Sequence, residues 1–169
     1  GSVSCIGNEA YVGGIVGHSD KDISKCISQS DVTSSGANSK VGGIVGYTSS
    51  AIMMSTSSGK VTTSGSGSIS GGIAGQGCNI SDCYSQSDIT GTAYVGGIAG
   101  NTYGQIESCY SAGNLEGTGW AAGISGYNIG SGAKVVNSLA LCPKIEMTES
   151  NGTAKRVIGG YKDGAPDPL

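Results

Sequence analysis

Short apolar segments separated by glycine and serine recur along the whole chain. A glycine motif of five residues appears six times, and the first residues of successive copies are 29, 29, 25, 26 and 34 positions apart. Self-similarity at such a period is the signature of a repeat architecture. The six copies are GGIVG (13–17), GGIVG (42–46), GGIAG (71–75), GGIAG (96–100), AGISG (122–126) and RVIGG (156–160).

A second segment follows each of the first five copies. It begins 7 or 8 residues after the motif isoleucine in four copies and 11 residues after it in the fifth. Two recurring offsets within one period make chance similarity a poor explanation. The segments are ISKCISQSDVT from Ile23, IMMSTSSGKVT from Ile52, ISDCYSQSDIT from Ile80, IESCYSAGNLE from Ile106 and VVNSLALCPKI from Val135.

The pattern inside each repeat is that of strands and excludes helices. Glycine costs about 1 kcal/mol per helical position relative to alanine, and no 3.6-residue apolar stripe is present. From Cys26 to Thr33, small or aliphatic residues alternate with polar or large ones, as the two faces of a strand require. The same alternation begins at Cys83, where Tyr84 falls on the outward face.

Repeats of this length cannot bury their apolar side chains alone, whereas stacked copies can. We therefore predict an all-β, single-domain parallel β-solenoid of about five coils of 25–29 residues, with right-handed winding. Equivalent inward residues then form columns along the axis. The predicted columns are Ile15, Ile44, Ile73, Ile98, Ile124 and Ile158; Ile23, Ile52, Ile80, Ile106 and Val135; and Cys26, Ser55, Cys83, Cys109 and Ser138.

The domain limits follow from the repeat. Gly1 and Ser2 are interpreted as an expression scar, residues 3–162 as the solenoid, and residues 163–169, with Pro166 and Pro168, as a tail or linker. The variable segments Ser34–Lys40, Ser64–Ile69, Gly91–Tyr94 and Gly117–Trp120 are expected as loops on one edge. Open strand edges at the two ends suggest end-to-end self-association.

Composition sharpens this prediction. Glycine contributes 32 of 169 residues and phenylalanine none, which fits a narrow interior filled by Ile, Val, Ser, Cys and Ala. Glycine is expected both at tight corners, where it reaches positive φ, and where strand layers approach closely.

Collagen is excluded because glycine has no period of three. Nine basic residues without a cluster argue against nucleic acid, and no apolar run reaches the 18 residues of a membrane helix.

The paired motifs, VGGIVG followed by an ISxCYSxGxVxG-like segment, resemble the bacterial GLUG repeat from roughly Tyr11 to Tyr161. The resemblance implies a β-solenoid module of a large secreted or surface-anchored bacterial protein, such as an adhesin-like protein or an immunoglobulin-A protease. In such proteins the repeats are non-catalytic. The fifth and sixth copies depart from the motif, with Ala122 for its first glycine and Arg156-Val157 for its glycine pair. This departure makes the sixth copy a candidate capping coil.

Three functions follow as alternatives. The first is a non-catalytic adhesion module that binds a glycan or protein at the cell surface or outside the cell. The second is a rigid stalk without a ligand of its own. The third is a non-catalytic part of a secreted protease or polysaccharide-degrading enzyme.

The residues that could carry chemistry also have structural interpretations, and no cofactor, catalytic group or metal is predicted. We expect reduced core thiols, although Cys83 and Cys109 on adjacent coils leave a disulfide open. His18 has no second ligand at zinc spacing, and Asp20 and Asp22 supply only two carboxylates for calcium. The outward column is expected to be a surface charge ladder in which Asp88 also lies near Glu116; it consists of Asp31, Lys60, Asp88 and Asn114.

Aromatic residues give the candidate binding site. Tyr94 and Trp120 fall at equivalent outward positions on adjacent coils, with Tyr11 further along the same column, and Tyr84 and Tyr110 form a second pair. Stacked rings on a flat sheet could bind a sugar or a protein. Alternatively, the rings shield the glycine-rich backbone and strengthen coil stacking.

Overall fold

The computed structural model describes residues 1–161 and shows the predicted all-β, parallel β-solenoid. Its 28 strands within those residues form five complete coils of five strands and the first three strands of a sixth. The predicted tail, residues 163–169, lies outside the described residues. Equivalent strands of successive coils are hydrogen-bonded neighbours, so the five strand positions generate five parallel sheets, named A to E in chain order.

Sheets A, B and C each contain six strands. Sheet A consists of β1 (Ser2–Cys5), β6 (Asp31–Ser34), β11 (Val61–Thr63), β16 (Ile89–Gly91), β21 (Leu115–Gly117) and β26 (Ile145–Met147). Sheet B consists of β2 (Tyr11–Gly13), β7 (Lys40–Gly42), β12 (Ile69–Gly71), β17 (Tyr94–Gly96), β22 (Trp120–Ala122) and β27 (Thr153–Lys155). Sheet C consists of β3 (Val16–Ser19), β8 (Val45–Thr48), β13 (Ala74–Gly77), β18 (Ala99–Thr102), β23 (Ser125–Asn128) and β28 (Ile158–Tyr161).

Sheets D and E each contain five short strands. Sheet D consists of β4 (Ile23–Ser24), β9 (Ile52–Met53), β14 (Ile80–Ser81), β19 (Gln105–Glu107) and β24 (Lys134–Val136). Sheet E consists of β5 (Ile27–Ser28), β10 (Thr56–Ser57), β15 (Tyr84–Ser85), β20 (Tyr110–Ser111) and β25 (Leu139–Ala140). The variable segments all lie between a sheet A strand and the next sheet B strand, which confirms loops on one edge.

Two narrow cores fill the coils. Equivalent positions align strictly, so like side chains stack on like along the axis. The first core packs side chains of sheets C and D with the thiols at the corner before sheet E: Ile23, Ile44, Val45, Ile52, Ile73, Ala74, Ile80, Cys83, Ile98, Ala99, Ile106, Cys109 and Ile124. The second packs side chains of sheets A and B with Cys142, which lies between β25 and β26: Val12, Val32, Val41, Val61, Ile89, Val95, Leu115, Ala121 and Cys142.

Glycine is required where sheets B and C approach each other. A Cβ atom at Gly75 of β13 would lie 2.7 Å from the backbone carbon of Lys40, on β7 of the preceding coil. The second glycine of the motif is equally confined, because a Cβ atom at Gly97 would collide with the Gly123 carbonyl and the Ser111 side chain. These positions exclude every side chain, and this explains the recurrence of glycine in the motif.

The expectation that glycine forms the corners through positive φ is wrong. Among residues 1–161, Gly67 is the one glycine with positive φ. The corner between sheets D and E uses a non-glycine residue in the left-handed region, and the φ values lie between 48° and 55° in all five coils. These residues are Lys25, Met54, Asp82, Ser108 and Asn137.

The predicted Cys/Ser column explains how that corner closes. The residue after each left-handed position is the column residue, and its hydroxyl or thiol donates a hydrogen bond to the carbonyl two residues earlier. Ser55 donates to the Met53 carbonyl at 2.9 Å, and Cys83 donates to the Ser81 carbonyl at 3.1 Å. Serine and cysteine can therefore replace each other in this column because each is small and carries a donor.

The sixth copy is shifted by one residue from the predicted alignment. Ile158 pairs with Ser125, and the Ile124 amide donates to the Val157 carbonyl, so Val157 rather than Ile158 continues the isoleucine column. The residues opposite the glycine pair are therefore Lys155 and Arg156. The predicted alignment matched RVIGG to the other motif copies residue by residue, whereas the strand pairing places Val157 where that alignment placed Ile158.

Replacing Gly97 with alanine is expected to lower the free energy of unfolding by about 3 kcal/mol or more, because backbone and side-chain atoms must both move. Gly132 is the matched control, since an added Cβ there has no atom within 4 Å. Gly132→Ala should change stability by less than about 0.5 kcal/mol. Urea unfolding of both variants measures the difference, and equal effects would contradict the close-approach explanation.

Replacing Cys83 with serine should change the free energy of unfolding by less than about 1 kcal/mol, because the hydroxyl keeps the bond to Ser81. Cys83→Ala removes the donor and leaves a small void, so a loss of about 1–2 kcal/mol is expected. Thermal unfolding under reducing conditions compares the two. An alanine variant as stable as the serine variant would show that the thiol acts by volume alone.

Candidate functional site

Two aligned columns, one on sheet B and one on sheet C, meet along one side of the solenoid and form what we call the aromatic seam. A sheet B residue of one coil lies against a sheet C residue of the next coil. The sheet B column is Tyr11, Lys40, Ile69, Tyr94, Trp120 and Thr153. The sheet C column is His18, Tyr47, Gln76, Asn101, Tyr127 and Gly160.

Three rings from the fourth and fifth coils cluster on this seam. The Tyr94 and Tyr127 rings are stacked with centroids 4.7 Å apart, and Trp120 lies 5.2 Å from Tyr94. Trp120 also meets Tyr127 edge-on at 5.9 Å. Burial raises the pKa of Tyr94, and the neighbouring Tyr127 raises it further. Trp120 remains 37% exposed, so its indole is accessible to solvent. Its backbone is held in the strand ladder of sheet B.

A second cluster lies at the other end of the seam, on the first and second coils. The Tyr11 and Tyr47 rings are stacked at 5.2 Å, and His18 lies within 5.4 Å of both. The Lys40 ammonium lies 5.0 Å from the Tyr11 centroid and 4.6 Å from that of Tyr47, at cation–π distance. Burial lowers the pKa of Lys40 and raises that of Tyr47.

A separate aromatic pair lies on sheet E. The Tyr84 and Tyr110 rings stack almost parallel at 4.8 Å, with 8° between their planes. Exposed Ile27 and Leu139 extend this column towards the two ends of the solenoid. The stack spans adjacent coils, so it strengthens their association while leaving Tyr110 37% exposed.

The structure therefore divides the four predicted site residues between two sheets. Tyr94 and Trp120 belong to the aromatic seam, whereas Tyr84 and Tyr110 lie apart on sheet E. Sequence reasoning found neither Tyr127 nor Tyr47 as ring partners, because these residues come from another strand of the next coil. The available signal was a tyrosine directly after the last residue of three motif copies, at 47, 127 and 161.

The predicted charge ladder is instead a set of side chain-to-backbone bonds between coils. Asp31 accepts the Lys60 amide at 2.8 Å, and Asp88 accepts the Asn114 amide at 2.8 Å. Both carboxylates thus satisfy a backbone donor of the next coil instead of facing the lysine as an ion pair. The same bond recurs from Asn8 to the amide of Ala37, from Asp22 to that of Ala51 and from Asn79 to that of Gln105.

A shallow polar depression of about 270 Å³ covers the outer face of sheet A. Lys60, Asp88 and Glu116 contribute to its lining. At one end, the Lys144 ammonium lies 2.7 Å from the Glu146 carboxylate, and this bond raises the pKa of Lys144. The depression thus contains side chains of both charges.

Metal-ligating residues do not converge within residues 1–161, where no group of three His, Cys, Asp or Glu side chains has a geometry suited to an ion. His18 Nε2 lies 3.2 Å from Asp20 Oδ1 on the exposed surface. Asp22 is held by its bond to the Ala51 amide. Residues 1–161 also contain no helix long and apolar enough to cross a membrane.

All six cysteines are free thiols. Cys83 and Cys109 are both buried on neighbouring coils, and the contact with Cys83 together with burial raises the pKa of Cys109 strongly. Cys142 approaches the Ser111 hydroxyl at 3.1 Å, and burial raises its pKa as well. A raised pKa keeps a thiol protonated and unreactive near neutral pH.

Comparison with known proteins identifies one coil of the solenoid. Residues 37–62 match the family model of the GLUG motif. This segment runs from the loop before β7 through the strands of sheets B, C, D and E into β11. The match confirms the resemblance for the second coil. No curated protein and no solved structure matches the chain.

A double-mutant cycle on Tyr94 and Tyr127 should give a coupling energy of about 0.5–1.5 kcal/mol in unfolding free energy, because the stacked rings contact each other directly. The two single alanine variants and the double variant supply the cycle. The control cycle combines Tyr94 with Tyr110 on sheet E, where coupling should stay within about 0.5 kcal/mol. Similar coupling in both cycles would contradict a specific ring contact on the seam.

Proposed function

We propose that this solenoid, whose second coil is a GLUG motif, is a non-catalytic adhesion module of a bacterial secreted or cell-surface protein. Its ligand is a glycan or an extracellular protein that contacts the aromatic seam. The observation that carries the proposal is the cluster of Tyr94, Trp120 and Tyr127. It holds a partly exposed indole against two stacked tyrosines.

The support beneath this cluster favours binding. Each ring projects from a strand hydrogen-bonded to both neighbouring coils, so the rings lose little freedom when a ligand arrives. Preorganisation of this kind increases affinity by reducing the entropy lost on association. Trp and Tyr are also the side chains most enriched at energetically important contacts.

A non-catalytic role agrees with how the carboxylates are used. Glycoside hydrolysis needs one carboxyl group as acid and another as base or nucleophile at a defined separation. Asp22, Asp31 and Asp88 each bind a backbone amide of the next coil, which is a structural task. We accordingly assign recognition to the rings and coil-to-coil cohesion to these carboxylates.

The alternative role, a rigid stalk, is favoured by one specific observation. The rings of both clusters and of the Tyr84–Tyr110 pair contact each other across coils, so they also stabilise the rod. A stalk needs those contacts but no ligand. The two roles therefore differ in whether the exposed part of Trp120 binds anything.

The test compares two double variants on glycan and extracellular-protein arrays. Tyr94→Ala with Trp120→Ala should reduce binding at least tenfold, because it removes the exposed part of the cluster. Tyr84→Ala with Tyr110→Ala on sheet E is the matched control and should retain binding. Trp120 is the single tryptophan, so its fluorescence reports the same interaction in solution.

Two outcomes would contradict the adhesion proposal. Unchanged binding by the Tyr94/Trp120 variant would remove the seam as the site. Absence of any array signal for the unmodified protein would instead support the stalk. Thermal unfolding of both double variants verifies that the comparison is between folded proteins.

A further inference from the structure

The aromatic seam contains the same three-residue arrangement twice. In each, a sheet B tyrosine stacks on the sheet C tyrosine of the next coil, and the next sheet B residue lies over the first ring. The arrangements are Tyr11, Lys40 and Tyr47 on the first and second coils, and Tyr94, Trp120 and Tyr127 on the fourth and fifth.

The two arrangements differ in one chemically decisive position. Lys40 occupies the place that Trp120 holds in the other, so an ammonium group replaces an indole over the tyrosine ring. Within residues 1–161 no carboxylate lies within 4 Å of the Lys40 ammonium. Asp20, the acidic residue near this cluster, is bonded to His18. The ammonium therefore keeps its capacity to bind an anionic group.

The seam residues between the two arrangements are buried. The intervening seam residues are Ile69 and Gln76 of the third coil, which are 9% and 3% exposed. Asn101 of the fourth coil is 4% exposed. Because these three side chains are buried, a molecule that spans this stretch would contact the two clusters at its ends rather than these residues.

The separation of the clusters is fixed by the backbone. Equivalent residues of the two arrangements are three coils apart, which is about 14 Å at the spacing of hydrogen-bonded strands. The parallel ladders of sheets B and C hold this distance. A ligand that spans it must itself be extended along the axis of the rod.

From this juxtaposition we propose that the seam binds a polysaccharide whose sugar units carry carboxylate groups, with the chain lying along the solenoid axis. The apolar face of one sugar packs on Trp120 and Tyr94, and the carboxylate of a unit about 14 Å away binds the Lys40 ammonium. This inference rests on the adhesion proposal above and specifies the class of ligand.

The matched probes are polygalacturonate and the same polymer with its carboxylates methyl-esterified. These share one backbone and differ in charge. Calorimetry and Trp120 fluorescence should show at least tenfold tighter binding of the acidic polymer at low salt, and the difference should shrink as salt is added. Oligomers too short to span both clusters should bind at least tenfold more weakly than longer ones.

Substitutions distinguish the contact of Lys40 with a carboxylate from the contact of Trp120 with a sugar face. Lys40→Met keeps the length of the side chain but removes its charge, so the acidic and esterified polymers should bind equally. Lys40→Arg should retain the preference. Lys60→Met on sheet A is the control for overall charge and should leave the preference intact. Trp120→Ala should weaken binding of both polymers, and thermal unfolding confirms that each variant is folded.

Several results would overturn the inference, and they differ from those that remove the adhesion proposal. An unchanged acid preference in Lys40→Met would exclude Lys40 as the anion site. Equal binding of poly-glutamate would show a general electrostatic attraction without sugar recognition. Binding of neutral glycans alone, dependent on Trp120, would overturn the acid specificity and keep adhesion. Binding of no glycan or protein at all would overturn both.

Discussion

The close approach of sheets B and C, which leaves no space for a Cβ atom at the motif glycines, is the constraint on which the rest of the structure depends. At Gly75, any side chain would collide with the backbone of β7 in sheet B. At Gly97, a side chain would collide with the Gly123 carbonyl of the next coil and with Ser111 of sheet E. This contact divides each coil into two narrow cores, one behind sheets C and D and one behind sheets A and B. Narrow cores accept Ile, Val, Ala, Ser and Cys, and this explains a sequence without phenylalanine.

The same contact creates the aromatic seam. Because sheet B of one coil lies against sheet C of the next, a tyrosine at position 94 meets Tyr127 rather than a residue of its own coil. Five of the large side chains that the interior cannot hold, Tyr11, Tyr47, Tyr94, Trp120 and Tyr127, are thereby placed on one outer side, at a spacing set by the backbone ladders. One side of the rod therefore presents rings and an ammonium group at a fixed spacing.

Much of the fold was predictable because each coil repeats the last. The isoleucine column from Ile23 to Val135 and the Cys/Ser column lie where the repeat placed them. Two details of the prediction were wrong, and both concern the role of glycine. Positive φ was assigned to glycine, whereas Lys25 and its equivalents adopt it, because the adjacent hydroxyl or thiol closes that corner. In the sixth copy, the glycines of RVIGG suggested a register that strand pairing moved by one residue.

The sequence by itself determined the architecture, since a recurring inward pattern fixes which residues stack, and stacking in register is the one way such short strands bury their apolar faces. It also identified Tyr94 with Trp120 and Tyr84 with Tyr110, which share columns. Only the tertiary structure decided that Tyr127, Tyr47 and Lys40 belong to the seam, and that Asp31 and Asp88 hold backbone amides. These contacts join different strands of successive coils, and their geometry depends on how closely the sheets pack rather than on any periodicity along the chain.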